Sequence, residues 1–416
     1  MTSGVSITRD ATAVQHQPTL VLTSAVPWDG IFARAQHVAT GLAKQGWDVL
    51  YVDGPLTWLS PLKNRDLAGR LVPRTPVRTI PLHSVSDGQP ASTGGLRVLS
   101  PLAQIPFGNV SRRINRFNQR MLALQIRAAV PGPCILLSML PASVDLLPFL
   151  HPVASLYDCV DLHSEFKGFI KKEVVDQMEQ DMASVSRVVF ATAETLRARM
   201  ARWHADVRIL PNAAEIDHFA ATADAPVHPL LQDIPSPRIT MIGGIGSWID
   251  QGFLCQLAEA MPEAHIVLIG PIETDVSALE QHANIHLLGR QPYTELPQFL
   301  AGSDATLVAF RVDDPVAQSV NPVKGYEYIA AGKEVVATPI PEMQKLGDVL
   351  WLAETGAQAA AVIRRILAGE RRVTDAAARA EFVANNSWAA RVAEIDRVLR
   401  SIVPHTATAP EQRDVS

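Results

Sequence analysis

Lys324 and Glu327 are the two side chains whose types and spacing most directly suggest ligand chemistry, and both lie in the segment NPVKGYEYIAAGK. Asn321 suits a helix N-cap, Pro322 the first helical position and Gly332 the end, so the segment predicts a short helix. A lysine in the first turn is unfavourable, because the helix amino end already carries partial positive charge. A bound diphosphate would offset that cost, and Glu327 could accept hydrogen bonds from a vicinal diol, which together describe a nucleotide. The alternative is a surface lysine that pairs with Glu327.

A glycine-containing segment, GGIGSWID, follows an apolar run and supplies Gly243, Gly244 and Gly246. These glycines could let backbone amides approach a phosphate. The last glycine of the dinucleotide fingerprint G-x-G-x-x-G is missing, however, and so is the acidic residue that follows that fingerprint. A tight turn without a ligand is the alternative. Trp248 and Asp250 lie in the same loop, where a packing tryptophan and a helix-capping aspartate are the alternatives to a donor-side role for Trp248.

Asp158, Asp161 and His163 follow another apolar run, in the segment SLYDCVDLHSEF. Carboxylates and a histidine at the end of a strand could activate or orient an acceptor hydroxyl. They could equally cap a helix that begins near Ser164. The three lie too close in sequence to form a typical structural zinc site without another ligand.

Short β-branched runs alternate with helix-length segments along the chain. This alternation predicts an α/β fold with two doubly wound, Rossmann-like domains and parallel sheets. Ligands of such sheets bind beyond the carboxyl ends of the strands, so the cleft between the domains is the expected site. Trp28 and Arg34 follow the first predicted strand and are candidates to border the cleft on the acceptor side.

The composition is that of an ordinary folded protein, with 416 residues, 47% hydrophobic and 19% charged. That length predicts two domains, each with its own core. Cys134, Cys159 and Cys255 lie far apart, which favours a reducing compartment over a disulfide framework. The first residues lack the pattern of a secretory leader, and no apolar run is long enough to span a bilayer. We therefore expect a cytoplasmic protein.

The charge is distributed unevenly between the two halves. Residues 1–210 carry 22 Lys and Arg against 16 Asp and Glu, whereas residues 211–416 carry 15 against 26. Arg112, Arg116 and Arg120 recur every four residues, which predicts a basic amphipathic helix together with the apolar residues Ile114, Phe117, Met121 and Leu124. Either this is a solvated face opposite a core-facing side, or it is a patch for an anionic membrane or a phosphorylated lipid at the inner face of the membrane.

Several segments, in the same order, resemble the GT-B glycosyltransferases, in particular the family 4-like enzymes of bacterial polysaccharide and teichuronic acid synthesis. They are VPWDGIFARAQHVATGLAKQGWDVLYVDGP, YDCVD, LPNAAEIDHF, IGGIGSWID, HIVLIGP, NIHLLGRQPYTELPQFLAGSDATLVAF and NPVKGYEYIAAGKEVVAT. The resemblance covers approximately residues 18–402. It implies that the second domain binds a nucleotide-diphosphate sugar, with Glu327 at the ribose and the helix start at residues 322–324 facing the diphosphate. Asn321, at the same helix start, is also expected to contact the donor.

A stretch rich in Pro and Ala and poor in periodicity, FAATADAPVHPLLQDIPSPR, marks the boundary between the domains, and the resemblance implies the position of the last helix. We predict a disordered tail at 1–16, an acceptor-binding domain at 17–218, a linker at 219–237 and a nucleotide-sugar-binding domain at 238–384. The last helix, at 385–403, is expected to cross back to the first domain, and a disordered tail is expected at 404–416.

Two departures from the family pattern bear on the donor site. Many family 4 enzymes carry a glutamate eight positions before the ribose-binding one, and Ser319 stands there in this chain. They also carry an arginine and a lysine after the first strand of the second domain, and GGIGSWIDQGF has neither. Neutralisation of the diphosphate is therefore expected from Lys324, Arg311 or Arg290 and from backbone amides.

The resemblance predicts a hexosyltransferase that moves a sugar, with retention of configuration, from a nucleotide-diphosphate sugar to a glycan or polyprenyl-linked glycan. No cofactor, metal or nucleic acid is expected. Ser319 and the missing cations favour a second hypothesis, an inactive GT-B homologue that partners an active transferase. A nicotinamide-dependent oxidoreductase would rest on the glycine-containing loops alone.

Overall fold

A computed structural model describes residues 17–403 except positions 31, 64–66, 68, 70, 73–75, 83–93 and 167. The predicted tails at 1–16 and 404–416 lie outside the described residues. Within this part of the chain, no helix is both long enough and apolar enough to cross a membrane.

The first sheet has eight strands in the order β3-β4-β2-β1-β5-β6-β7-β8. All neighbours pair in parallel except β3, which runs antiparallel to β4 at the edge. The strands are β1 (Thr19–Thr23), β2 (Val49–Val52), β3 (Val77–Thr79), β4 (Leu96–Leu99), β5 (Cys134–Ser138), β6 (Ala154–Cys159), β7 (Val188–Ala191) and β8 (Val207–Ile209). Buried apolar side chains on both faces of this sheet form two core clusters, as expected for a sheet covered by helices.

The second sheet has six parallel strands in the order β11-β10-β9-β12-β13-β14. The strands are β9 (Arg238–Ile242), β10 (His265–Ile269), β11 (Ile285–Leu287), β12 (Ala305–Val308), β13 (Val335–Ala337) and β14 (Trp351–Leu352). Two further core clusters cover its faces. The predicted fold class, two doubly wound α/β sheets, is therefore confirmed.

Helices connect the strands of both sheets. Those of the first part of the chain are α1 (Arg34–Lys44), α2 (Ser60–Lys63), α3 (Arg112–Ala129), α4 (Leu147–Leu150), α5 (Lys172–Val185), α6 (Glu194–Met200) and α7 (Ile216–Ala220). Those that follow are α8 (Gln251–Ala260), α9 (Ser277–Glu280), α10 (Leu296–Ala301), α11 (Val323–Ala330), α12 (Pro341–Gln344), α13 (Gly356–Leu367), α14 (Ala376–Asn385) and α15 (Trp388–Ile402).

Helix α15 follows the second sheet in sequence but packs against α1 beside the first sheet. Val392 of α15 belongs to a core cluster of the first sheet. A Cβ atom at Gly41 of α1 would lie 2.4 Å from Val392 Cγ2, so the glycine permits this close approach. The Trp47 indole also donates to Asp396 Oδ1 at 2.7 Å. The numerical domain boundaries themselves stay predictions.

The apolar residues of α3 that the sequence analysis named lie on its exposed side. Asn115 and Asn118 are buried, whereas Phe117, Met121 and Leu124 are exposed. The buried amides are satisfied, because Asn115 Nδ2 donates to Ala142 O and Asp145, and Asn118 bonds both the N–H and the C=O of Ile105. Phe117, Met121 and Leu124 therefore do not face the core, which α3 contacts through Leu122, Ala123 and Ile126. The helix thus has a solvated face opposite a core-facing side, one of the two alternatives raised by the sequence.

The three arginines of α3 are not equivalent either. Arg112 bonds Asp145 at 2.8 Å and Asp181 at 2.7 Å, so it holds α3 to its neighbours. Arg116 reaches Asp145 only at 3.5 Å, and its side chain is 63% exposed. Arg120 is exposed and makes no ion pair with a described residue. A surface role for this helix therefore rests on Arg116 and Arg120 and excludes Arg112.

Candidate functional site

A cavity of about 580 Å³ lies between the carboxyl ends of the two sheets. Its first-domain wall includes Phe32, Arg34 and His37 from the start of α1. Its second-domain wall is formed by the loops after β9, β10 and β11 and by the start of α11. Trp388 of α15 closes one side. The cavity therefore lies where ligands of two facing doubly wound sheets are expected.

The amino end of α11 faces this cavity. The helix begins at Val323 with Pro322 as N-cap, so the predicted cap, Asn321, lies one residue too early. Tyr328 fixes the helix to the end of β9, because its hydroxyl accepts from Ile242 N at 2.7 Å and donates to Ile242 O at 3.2 Å. Backbone N–H groups of the first turn are left without helical partners, which suits an anion.

Lys324 and Glu327 both line the cavity, and Lys324 Nζ lies 2.5 Å from Glu327 Oε2. Their side chains are 27% and 7% exposed. The sequence left open whether Lys324 faces a ligand or pairs with Glu327 at the surface. In the structure it pairs with Glu327, and the pair lies on the cavity wall. A diphosphate would compete with Glu327 for the ammonium group, and the carboxylate would then be available to a diol.

Glycines bring the loops after β9 and β10 close together. Gly243 has φ +152° and Gly270 has φ +153°, a region that favours glycine. A Cβ at Gly270 would lie 1.9 Å from Gly243 O. Gly243, Gly244 and Gly270 line the cavity. Gly246 instead lies under the ring of Trp248, and a Cβ atom added at Gly246 would lie only 2.3 Å from that ring. The structure thus gives Gly246 a packing role.

Trp248 and Asp250 have the packing and capping roles that were the alternatives in the sequence. Trp248 packs against the core cluster of the second sheet. Asp250 Oδ1 accepts from Phe253 N at 2.9 Å and so caps α8. Trp248 also borders a smaller cavity of about 80 Å³, which shares Gly243, Gly244 and Lys324 with the large one.

The predicted phosphate-binding cations separate in the structure. Arg290 is exposed and lines the cavity. Arg311 bonds Asp313 through Nε at 3.1 Å and Nη2 at 2.8 Å, and among the described residues it is not part of the cavity wall. Ser319 Oγ donates to Val316 O at 3.0 Å, so this residue closes a turn.

Asn321 holds the two domains together instead of facing the cavity. It is 1% exposed, and its Oδ1 accepts from Asn212 N at 2.9 Å. Its Nδ2 donates to Tyr326 and to Glu342 Oε2, while Glu342 Oε1 accepts from Glu194 N at 2.9 Å. The structure therefore gives Asn321 an interdomain role in place of the predicted donor contact.

Arg34, on the cavity wall, forms a buried, bidentate ion pair with Asp158, which is not part of the described wall. Arg34 Nε and Nη2 lie 2.8 and 2.9 Å from the two oxygens of Asp158, whose side chain is 0% exposed. Arg34 Nη1 also donates to Pro211 O and to Asn212 Oδ1. Both Asp158 oxygens are thus occupied, which gives Asp158 a positioning role in place of the catalytic role predicted for it.

Asp161 and His163 lie beyond this ion pair and are not part of the described cavity wall. Burial raises the pKa of Asp161 to about 7, an effect that Arg34 partly opposes. Burial lowers the pKa of His163 to about 4, and its Nε2 has no partner among the described residues. Ser164 lies in a short 3₁₀ helix at His163–Glu165, and α5 begins only at Lys172, so the predicted helix start is too early.

Aromatic side chains that the sequence did not single out complete the cavity. His37 stacks on Trp388 with ring centroids 4.7 Å apart, and Phe32 meets His37 edge-on at 4.6 Å. Trp28, the predicted cleft residue, instead packs on Tyr51 with centroids 5.1 Å apart. No local signal identifies His37 and Trp388 because they come from helices far apart in sequence.

A second aromatic group lies on the opposite wall. Tyr293 lines the cavity and stacks on His218 with centroids 4.3 Å apart. Its hydroxyl donates to Glu215 Oε2 at 3.1 Å, and burial raises the pKa of this phenol. Pro271 and Gln291 line the same end of the cavity. A flat base could stack here while the phosphates reach α11.

His37 makes the stability of this wall depend on pH. Burial lowers its pKa from 6.5 to about 3, so the folded state binds fewer protons than the unfolded state between these values. Stability is therefore lost as pH falls from 6.5 towards 3. We expect His37→Phe, which keeps an aromatic ring, to reduce the decline in the free energy of unfolding between pH 6.5 and 4 in urea titrations. Parallel curves for the two proteins would contradict this.

The two facing sheets, the cavity between them and the helix that returns to the first sheet define the GT-B fold of glycosyltransferases. Residues 250–397 match the model of a glycosyl transferase-like family. The chain is 25% identical over 206 residues to TuaH of Bacillus subtilis (strain 168), which is assigned by name to teichuronic acid biosynthesis as a glycosyltransferase. That match covers 46% of this chain and 52% of TuaH, so it spans about half of the relative.

Solved structures extend the likeness to the whole fold. A sucrose-phosphate synthase of Thermosynechococcus elongatus superposes with a TM-score of 0.62 at 16% identity, over 93% of this chain and 99% of that one. A trehalose-6-phosphate protein of E. coli bound with UDP-2-fluoro glucose gives 0.66 at 12%, over 93% and 100%. Anabaena HepE in complex with UDP and glucose gives 0.61 at 12%, over 92% and 100%. The predicted GT-B fold is confirmed, and the family match and TuaH support the predicted glycosyltransferase class.

Proposed function

We propose that the protein transfers a hexosyl group from a nucleotide-diphosphate sugar to a glycan or polyprenyl-linked glycan in the synthesis of envelope or extracellular polysaccharide. The observation that carries this proposal is the Lys324–Glu327 pair at the amino end of α11, on the wall of a cavity between two facing sheets. The name of TuaH supports transfer of a sugar, and the structures bound with UDP or a UDP sugar support the donor class. The acceptor and retention of configuration are taken from the resemblance.

In the proposed donor complex, the base lies against Tyr293 and Pro271, the ribose diol bonds Glu327, and the diphosphate lies between the α11 amides, Lys324 and Arg290. The nucleotide diphosphate gains negative charge as its bond to the sugar breaks. A helix amino end and a lysine that already point at this group stabilise the transition state more than the ground state. The Tyr328 hydrogen bonds fix the helix amino end, whereas Lys324 must exchange its contact with Glu327 for the diphosphate. We propose no resident metal or cofactor.

The acceptor would enter from the first domain, where Phe32, His37 and Trp388 face the donor side. Neutral, stacked rings suit the apolar face of a sugar, and His37 is uncharged at neutral pH because burial lowers its pKa to about 3. The acceptor is proposed to be reached in the cytoplasm, at the inner face of the membrane. The domain assignments for donor and acceptor are part of this proposal.

The second candidate function is an inactive homologue that partners an active transferase. Ser319, which closes a turn, and Arg311, which pairs with Asp313, favour it because neither supplies a donor contact. Two experiments separate the candidates. Calorimetric titration with a panel of nucleoside diphosphates tests the donor cavity, and release of nucleoside diphosphate from sugar nucleotides, with added membrane extract as acceptor, tests turnover. Binding without any turnover would favour the inactive homologue, and absence of nucleotide binding would contradict the proposed function.

A further inference from the structure

The exposed side of α3 carries two parallel rows of side chains, one apolar and one cationic. Phe117, Met121 and Leu124 are 51%, 41% and 57% exposed. Helical geometry places Arg113, Arg116 and Arg120 beside them on the adjoining face. Arg113 and Arg120 are exposed and form no ion pair with a described residue.

An apolar groove of about 270 Å³ lies next to the apolar row of α3. Phe117 and Met121 form one side of it, and the segment from Pro101 to Ile105, which follows β4, forms the other. Trp58 borders the groove and is 66% exposed. Leu102 and Ile105 also remain exposed, so apolar surface continues on both sides of the groove. Connected apolar surface of this kind marks an interaction site.

Gln104 lines the groove and carries a buried amide nitrogen. Its Nε2 is buried and has no hydrogen-bond acceptor among the described residues. The backbone of Gln104 is fixed, because its N–H donates to Leu56 O at 2.8 Å and its C=O accepts from Trp58 N at 3.4 Å. A buried donor without a partner costs free energy, so an acceptor supplied by a ligand would be favoured here. An ester oxygen of a phospholipid is such an acceptor.

We propose that this surface docks the first domain on an anionic phospholipid bilayer, with the arginine row at the lipid phosphates and one acyl chain in the groove. Positive charge beside apolar side chains favours this occupant over a soluble polar partner. The groove is formed by segments that follow β2 and β4, at the same carboxyl edge of the first sheet as the large cavity. A docked domain would therefore hold that cavity near the membrane surface. The proposal rests on α3 and the groove and does not depend on the donor chemistry.

Vesicle sedimentation tests the cationic row. The triple variant Arg113→Glu, Arg116→Glu and Arg120→Glu is expected to bind vesicles of phosphatidylglycerol and phosphatidylcholine on the order of 100-fold more weakly than the wild type. The control variant reverses three other exposed cations, Lys44, Arg187 and Arg202, at the amino edge of the same sheet, and so has the same net charge. It should bind more tightly than the first variant. Equal binding by the two variants would overturn the role of α3.

The apolar row has a matched test of its own. Replacing Phe117, Met121 and Leu124 by glutamine is expected to weaken vesicle binding about 10-fold or more. As a control, replacing three other exposed apolar residues by glutamine should leave vesicle binding unchanged. These residues are Val185, Leu230 and Leu367. If the glutamine variant at positions 117, 121 and 124 bound vesicles as tightly as the wild type, charge alone would attract the protein, and acyl-chain docking would be contradicted.

Tryptophan fluorescence tests whether a lipid acyl chain lies in the groove. The emission of Trp58 is obtained as the fluorescence of the wild type minus that of the Trp58→Phe variant. This emission should fall when the protein binds phosphatidylglycerol with bromine on its acyl chains, and it should not fall with the same lipid without bromine. Enlarging the groove residue Ala103, as Ala103→Trp in the Trp58→Phe background, should weaken vesicle binding while nucleotide affinity stays unchanged. Failure of Trp58 to be quenched, or binding only to a purified lipid-linked glycan in detergent, would overturn docking on the bilayer. Nucleotide calorimetry on each variant keeps this result separate from the donor proposal.

Discussion

Lys324→Ala is expected to weaken the binding of a nucleoside diphosphate about 10- to 100-fold, while the binding of the corresponding nucleoside changes little. The range corresponds to about 1.4–2.8 kcal/mol, typical of a hydrogen bond between charged groups. Only the diphosphate carries the charge that the lysine neutralises, and the α11 amides remain to hold part of it. Titration calorimetry with both ligands measures the difference directly.

The chain offers a matched control for this variant. Lys345 pairs with Glu342 at the same spacing of three residues, with Nζ 2.6 Å from Oε1, but it is not part of the described cavity wall. Lys345→Ala should therefore leave the affinity of both ligands unchanged. If Lys324→Ala behaved like this control, Lys324 would be a structural lysine whose function is to pair with Glu327.

Asp158→Ala is expected to lower the free energy of unfolding by about 3–5 kcal/mol, the cost of leaving the buried charge of Arg34 without its partner. Arg34 is 7% exposed and bonds Asp158 through two nitrogens, so water cannot replace the carboxylate. Denaturation in urea, followed by circular dichroism, measures the change.

Two further variants separate loss of the partner from loss of the pair. Replacing both residues, Arg34→Met with Asp158→Leu, removes the unpaired charge and should cost less than Asp158→Ala alone. Asp29→Ala breaks a pair with Arg78 in which both side chains are exposed, and it should cost less than about 1 kcal/mol. A cost for Asp158→Ala as small as that for Asp29→Ala would contradict the positioning role.

The fold could be predicted because buried parallel strands are continuous apolar or β-branched runs in the sequence, such as VVFA in β7 and ATLV in β12. Strand β3 was missed because VRT has no such run and pairs only at the edge. The buried polar residues of α3 were also missed. Asn115 and Asn118 are buried only because partners from the 101–110 segment and from Ala142 and Asp145 come within hydrogen-bond distance, which no local pattern shows.

The candidate site could be predicted where one segment supplies all the groups, as NPVKGYEY does for Lys324 and Glu327. Contacts between distant segments could not. Arg34 pairs with Asp158 across 124 positions, and His37 stacks on Trp388 from the last helix. Asn321 was placed at the helix start because asparagine favours N-caps, but its side chain is used between the domains. Each of these residues has several possible roles that its local sequence allows. The role it takes depends on contacts with residues far away in sequence, which the local sequence does not show.

The most direct test of the account is whether Glu327 contacts the ribose of a bound nucleotide. Calorimetric affinities of wild type and Glu327→Ala for a nucleoside diphosphate and its 2′,3′-dideoxy form give a double cycle. We expect Glu327→Ala to weaken the normal ligand by about 1–3 kcal/mol and to leave the dideoxy ligand almost unaffected, because the diol that the carboxylate would bond is already absent. If instead the effects of the substitution and of the ligand change simply add, Glu327 does not contact the ribose, and the assignment of this cavity as the donor site is wrong.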